Sequence, residues 1–184
     1  MAIASHHTDF ELIDRVIDGD KASFEVLVKR HQSLVASTVM NMLGDMEESK
    51  EIGQQVFIRF YKSIHKFKKE AKLSTYLSRI TINLCLNYLK RQKSFRNRQL
   101  NIDNAYSISE PDFSNTMETK EIINKALQKL DDHYRSVIVL RMIQGYSTLE
   151  SAEILGVPKG TVLSRLKRGM DKLKIILKTD FKYA

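Results

Sequence analysis

Six side chains near the C-terminal end of this 184-residue chain could read a nucleic-acid duplex: Lys159, Thr161, Ser164, Arg165, Lys167 and Arg168. Lysine and arginine neutralise phosphates, while arginine, serine and threonine can also hydrogen-bond to base edges in the major groove. That chemistry requires the six to project from one helix that is held from behind. Val162, Leu166 and Met170 supply such a hold, an apolar stripe at four-residue spacing. The stretch from Ser147 to Arg168 reads as a short helix, a tight turn and a longer basic helix. Ser147 and Glu150 form a capping-box pair that starts the first helix. Leu149, Ala152 and Ile154 are apolar and small enough to pack. Gly156 accepts the left-handed backbone that ends a helix, and Pro158 can open the next. This is the layout of a helix-turn-helix whose second helix enters the major groove. The plainer alternative is a helical hairpin with a solvated basic face.

A second basic region lies upstream. From Lys62 to Arg98 there are eleven lysines and arginines and one acid, Glu70. Phe67, Tyr76, Tyr88 and Phe95 are interleaved with them. Cations with aromatic planes suit single-stranded or opened nucleic acid, because exposed bases stack on the rings. Tyr88 falls on an apolar stripe and reads as core. Phe67 and Tyr76 border a basic loop and are the better candidates for meeting bases. Asn83 and Asn87, one helical turn apart, suit bases or phosphates and would equally suit solvent. By contrast Asp9, Glu11, Asp14, Asp18 and Asp20 crowd the start of the chain, which should face away from phosphate.

The elements that must carry these residues all read as helices. Asp9 can cap a short helix with Phe10, Ile13, Val16 and Ile17, ending near Gly19. Asp20 can cap a longer one with Phe24, Leu27, Val28, Leu34, Val35 and Val39, ending at Gly44, with His31 half-buried on the same stripe. Asp45 and Glu48 have N-cap spacing for a third helix holding Ile52, Val56, Phe57, Phe60 and Ile64. Ser74 can cap a fourth, with Leu77, Ile80, Leu84, Tyr88 and Leu89, ending near Ser94. A polar stretch with little periodicity follows, containing Pro111. Helical patterning resumes at Ile122, Ile123, Ala126, Leu127 and Leu130, and Asp131 or Asp132 can cap a helix holding Val137, Ile138 and Leu140. The expectation is an all-α chain of two small helical domains, residues 9–95 and 117–180, joined by a flexible linker at 96–116.

Composition narrows the function classes. The formal net charge is +8, which points to a polyanionic partner. Cys85 is the one cysteine, so no internal disulfide can form, and no Cys/His spacing suits zinc. No metal or cofactor site is expected. No apolar run spans a bilayer and the first residues lack a signal core, so a cytoplasmic setting is expected. There is no nucleophile–base spacing, phosphate-cradling glycine loop or paired carboxylates, so the chain reads as a binding protein, not an enzyme. A transcriptional regulator with a sensor domain before its helix-turn-helix is the main competing reading, and a membrane-surface role is more distant.

The chain resembles bacterial RNA polymerase sigma factors of the sigma-70 family, in the extracytoplasmic-function (ECF) group. The resemblance rests on Leu12-Ile13 with Gly19-Asp20-Lys21-Ala22-Ser23-Phe24, on Gln54-Gln55-Val56-Phe57-Ile58, on the run from Leu73 to Asn83, and on the run from Gly160 to Arg168. It covers Asp9 to Leu177 in the family's order of region two, linker and region four. It implies a protein that binds core RNA polymerase and directs it to promoters. Docking on the clamp helices of the largest subunit would fall to Glu51, Gln54, Gln55, Phe57 and Arg59. Recognition and melting of the −10 element would fall to Lys66, Lys68, Lys69, Lys72, Ser74, Tyr76, Arg79, Asn83, Asn87, Lys90 and Arg91. The −35 element would be read by Lys159, Thr161, Ser164, Arg165, Lys167 and Arg168, with a further contact to the polymerase flap. An anti-sigma factor, which could hold the protein at the inner membrane, is a further partner the family implies; a small-molecule substrate is not. The chain departs from the family pattern at Ser49-Lys50-Glu51, where Ala-Glu-Asp is usual, and at Tyr76, where tryptophan is. Leu130-Asp131 replaces Leu-Pro, and Glu150-Ser151-Ala152 replaces Glu-Ile-Ala. The Tyr76 hydroxyl should need a partner, and Ser151 should be partly solvated or bonded within its own helix.

Overall fold

A computed structural model describes residues 7–100 and 119–181. Among these residues every regular element is helical, and no helix is long and apolar enough to cross a membrane. Helix α1 spans Asp9–Ile17. Its cap is Thr8, one residue before the expected Asp9: Glu11 N–H donates to Thr8 Oγ1 (3.3 Å) and Thr8 N–H donates to Glu11 Oε2 (2.7 Å). Asp9 is thereby free for tertiary work. Its carboxylate accepts from His31 Nε2 at 2.8 Å and from Arg30 Nη1 at 3.1 Å, which ties α1 to α2.

Helix α2, Lys21–Leu43, begins at the expected cap, where Asp20 accepts from Ala22 N–H at 3.0 Å. It ends at Gly44, whose φ of 87° lies in the left-handed region that favours glycine. Helix α3, Glu47–Ser63, is not capped by Asp45 as expected. Met46 holds the N-cap position without a side-chain bond, and Ser49 Oγ instead donates to Gly44 O at 2.8 Å and closes the corner. A 3₁₀ turn, Ile64–Lys66, leads into the basic loop.

Helix α4 starts at Leu73, one residue before the expected cap Ser74, and runs to Leu100. It therefore passes the expected end near Ser94 and takes up the first five residues of the expected linker. No glycine or proline interrupts 73–100, and strong helix formers can extend a helix on polar residues alone. The rest of the expected linker, 101–116, lies outside the described residues.

Helix α5 spans Thr119–Gln128, and α6, Asp132–Ile138, continues into a π-helical turn, Val139–Ile143. Asp131 is the N-cap of α6 but makes no capping bond; its carboxylate accepts from Lys172 Nζ at 3.0 Å. Helices α7, Thr148–Leu155, and α8, Lys159–Asp180, form the helix-turn-helix.

Leu12, Ile13, Leu27, Val35, Phe60, Leu77, Ile82 and Cys85 fill the core between α1 and α4. The second half keeps buried clusters of its own, Ala126, Leu127, Leu130, Ile138 and Leu173 in one and Val137, Ala152 and Val162 in another, as the two expected helical domains require, but part of its apolar surface joins the first core. Val139, Leu140, Tyr146 and Ile154 belong to the same buried cluster, and α7 lies against α4. Polar bonds cross the same boundary. Ser78 Oγ and Tyr146 Oη are 2.8 Å apart, Gln128 Nε2 donates to Asn41 O at 3.2 Å, and Gln144 Nε2 donates to Ser37 Oγ at 3.1 Å.

Arg135 is the most deeply committed of these groups. It is 4% exposed, and burial pulls its guanidinium below the ordinary arginine range, opposed by the charge of Asp132. Its donors meet the carbonyls of Leu127, Gln128 and Leu130 at 2.8 Å each. These carbonyls lie at and just beyond the C-terminal end of α5, where intrahelical donors run out. One more bond, to Met42 O at 2.5 Å, reaches the end of α2.

Candidate nucleic-acid interface

The helix-turn-helix is assembled by local signals. Glu150 N–H donates to Ser147 Oγ (3.2 Å) and Ser147 N–H donates to Glu150 Oε2 (2.8 Å), so both arms of the capping box form. These bonds hold the Glu150 carboxyl below its ordinary range, helped by the nearby charges of Lys72 and Arg141. Gly156 ends α7 with φ 64° and ψ 37°, and Pro158 occupies the N-cap of α8. Ala152 and Ile154 are buried as expected, whereas Leu149 is 50% exposed.

The buried face of α8 is Val162, Gly169 and Leu173, with Leu166 half-buried. Met170, expected on this stripe, is exposed. The reason is close approach: a Cβ on Gly169 would stand 3.1 Å from both Tyr134 Cβ and Ile138 Cδ1, so α6 and α8 meet where glycine leaves room. Opposite this face Lys159, Ser164, Lys167 and Arg168 are exposed, and Thr161 and Arg165 are half-buried. Ser164 Oγ donates to Thr161 O at 3.1 Å, which uses its proton and leaves the oxygen able to accept. Ser151 differs from expectation. It is fully buried, and among the described residues its Oγ has no hydrogen-bond partner.

The second basic surface divides into a loop and a helix face. Lys66, Lys68 and Lys72 are exposed in and beside the loop. Lys69 is half-buried, sits in the left-handed region at φ 59°, and pairs with Asp14. The loop aromatics are wall rather than platform. Phe67 is buried, with ring centroids 6.2 Å from Phe10, 6.3 Å from Phe60 and 4.9 Å from Tyr76. The expectation that Phe67 meets bases is therefore corrected: packing against three rings removes it from solvent. Tyr76 is half-buried, and its hydroxyl finds the expected partner, Ser63 Oγ, at 3.3 Å. Ser74 is half-buried beside it. Along α4, Arg79, Asn83, Asn87 and Arg91 recur every four residues and, with Lys90, are exposed. They make a polar stripe about 18 Å long at 1.5 Å per residue. Tyr88, read as core, is half-buried against the shared cluster.

The residues assigned to polymerase docking lie on two sides of α3. Gln54 and Phe57 line an apolar groove of about 360 Å³ against α2, together with Val35, Val39 and Met46. Glu51, Gln55 and Arg59 line a cleft of about 290 Å³ that they share with Asn87 and Arg91 of α4. One outward residue of the helix-turn-helix escaped the sequence reading. Leu163 is 55% exposed on α8, and its place between Lys159 and Lys167 was the signal. Among the described residues no cluster of His, Cys, Asp and Glu could hold a metal ion.

Comparison with known proteins places this geometry in context. The family model "Sigma-70 region 2" matches residues 27–95 and "Sigma-70, region 4" matches residues 120–173. The ECF RNA polymerase sigma factor SigW of Bacillus subtilis (strain 168) is 31% identical, with 88% of this chain and 92% of that protein covered. The ECF RNA polymerase sigma-E factor of Escherichia coli (strain K12) is 33% identical over 90% of this chain and 92% of its own length. The fold is that of the sigma factor RpoE of Bartonella quintana, solved with the anti-sigma factor NepR, at TM-score 0.67 and 20% identity, covering 85% of this chain and 98% of that one. CnrH, solved with the cytosolic domain of CnrY, gives TM-score 0.69 at 23% identity, covering 94% and 98%.

Proposed function

The chain belongs to the ECF group of the sigma-70 family of RNA polymerase sigma factors, which give core RNA polymerase its promoter specificity at transcription initiation, and from this we propose how its surfaces divide that work. The outward face of α8 reads the −35 element in the major groove. Lys159 and Lys167 engage phosphates and set register, and Thr161, Ser164, Arg165 and Arg168 reach base edges and set sequence preference. Lys66, Lys68, Lys72 and the stripe Arg79–Asn83–Asn87–Arg91 engage the opened −10 element. Extruding a base costs a few kcal/mol of stacking and pairing, and cationic contacts to the displaced strand offset it. Glu51, Gln54, Gln55, Phe57 and Arg59 dock on the clamp helices of the largest polymerase subunit. The Bartonella quintana sigma factor is solved with an anti-sigma factor, and we extend that class of partner to this chain. Its relatives are regulatory binding factors, and we read this protein likewise as working by binding energy alone.

The observation that carries this reading is the opposition on α8 of the buried Val162–Gly169–Leu173 face and the exposed cations. A consequence follows for the closed packing of the two halves. The −35 and −10 elements lie about 25 base pairs apart, roughly 85 Å at 3.4 Å per pair. Here the start of α7 lies close enough to the basic loop for Lys72 to act on Glu150, and α7, with eight residues, is only about 12 Å long. Gripping both elements therefore requires α7 to leave α4. Run-off transcription with core polymerase on a randomised promoter library tests the assignment. Arg165→Ala should erase preference at −35 while leaving preference at −10, and loss of both together would count against it.

A further inference from the structure

We propose that Leu163 is a specificity-determining residue that reads the 5-methyl group of a thymine in the −35 element. The inference rests on the assignment of α8 to that element. Lys159, Leu163 and Lys167 follow one another at four-residue steps and so form one ridge of the helix. Both lysines are exposed, and Leu163 between them is 55% exposed. Ser164 and Arg168 flank it on the adjoining ridge, also exposed. A single exposed leucine on a protein surface ordinarily has no special meaning. Here its position gives it one, because two cations bracket it and draw that ridge onto a polyanion. A leucine side chain can neither donate nor accept a hydrogen bond. On the floor of the major groove the matching apolar feature is the thymine methyl, which no other base carries. The lysines give affinity that is blind to sequence, and the leucine converts part of it into a preference for thymine.

The test uses the full chain with core polymerase. A −35 element is first selected from a randomised library by run-off transcription, and each thymine in it is then replaced by deoxyuridine, which lacks only the methyl. One replacement should lower initiation by the wild-type chain about fourfold, the factor that burying one methyl-sized group supports. Leu163→Ala should lower initiation on the thymine promoter by a similar factor and bring the thymine-to-uracil ratio at that position to about 1. Leu163→Gln, a second variant at this exposed site, should do the same. A selected element without thymine, full tolerance of deoxyuridine, or a ratio unchanged in both variants overturns the inference and leaves the −35 assignment standing. A uniform loss in the variants with the ratio retained also overturns it and places Leu163 against polymerase. Absence of any −35 preference in the wild-type chain overturns both readings.

Discussion

The hydroxyls of Ser78 and Tyr146 are 2.8 Å apart and both residues are buried, so α4 and the segment leading into α7 are joined by a hydrogen bond sealed from water. Among the described residues each hydroxyl is the other's partner. Tyr146→Phe or Ser78→Ala strands one of them in the core, which should cost about 1–3 kcal/mol of stability in the free chain. The double variant should lose less than the sum. Denaturant melts check this. Because the bond exists only when the halves are packed together, Tyr146→Phe should also raise apparent affinity for core polymerase, about fivefold for each ~1 kcal/mol taken from the closed form. Weaker stability with tighter polymerase binding is the signature; weakening of both would mean the packed arrangement is the one polymerase binds.

Ser151 makes the opposite prediction. Its buried Oγ has no partner among the described residues, and a stranded hydroxyl costs about 1–3 kcal/mol. Ser151→Ala should therefore stabilise the chain by about 1 kcal/mol, read as a rise in Tm. A fall in Tm would show that the hydroxyl is satisfied.

Gly169 lets α6 and α8 cross closely. A Cβ added there would stand 3.1 Å from Tyr134 Cβ and Ile138 Cδ1. Gly169→Val adds two more carbons there and should destabilise the helix-turn-helix by about 1–3 kcal/mol. Loss of −35 preference before any loss of polymerase binding is the expected order on warming.

Lys72 and Lys69 should part company. Lys72 is exposed, whereas Lys69 is engaged by Asp14. Lys72→Ala should reduce permanganate reactivity of the −10 region, and Lys69→Ala should reduce it less. Equal effects would mean that Lys69 abandons Asp14 when DNA arrives.

Cys85 gives a pH prediction. Burial pushes its thiol up to about 12, from 9.0. A folded-state value raised above the unfolded one means that the native chain holds its proton longer. The stability from keeping this thiol neutral is fully present below about pH 9 and is lost as pH rises toward about 12. Cys85→Ala should flatten that alkaline limb of a stability–pH curve. At pH 8 the wild-type thiol should react with a disulfide reagent only as fast as the core opens.

What the sequence disclosed was what a few neighbouring residues decide. Ser147 with Glu150, Asp20 and Gly44 each act within one helical turn, and each sits where its spacing put it. The capping of α1 was misassigned because Thr8 and Asp9 are adjacent and both can cap; only the distant pair His31 and Arg30 decides which is spared. Phe67 was misread because a basic loop and an aromatic core border the same residue. Met170 was preferred to Gly169 because hydropathy rewards a side chain, whereas the crossing of two helices rewards its absence. The shared core was not legible at all. Ser78 is an ordinary residue in its helical pattern and Tyr146 lies in the short connection before α7, and nothing local announces that they meet.

Because one apolar core is divided between the two halves, anything that must separate them acts on everything else that must separate them. Under the proposed assignment a promoter gripped at both elements favours the parted form; where polymerase on α3 favours it too, each should tighten the other by one common factor, whichever arrives first. A single mutation in the seam would then change that factor without touching either contact surface, and reciprocity becomes a property of the fold rather than of the binding sites.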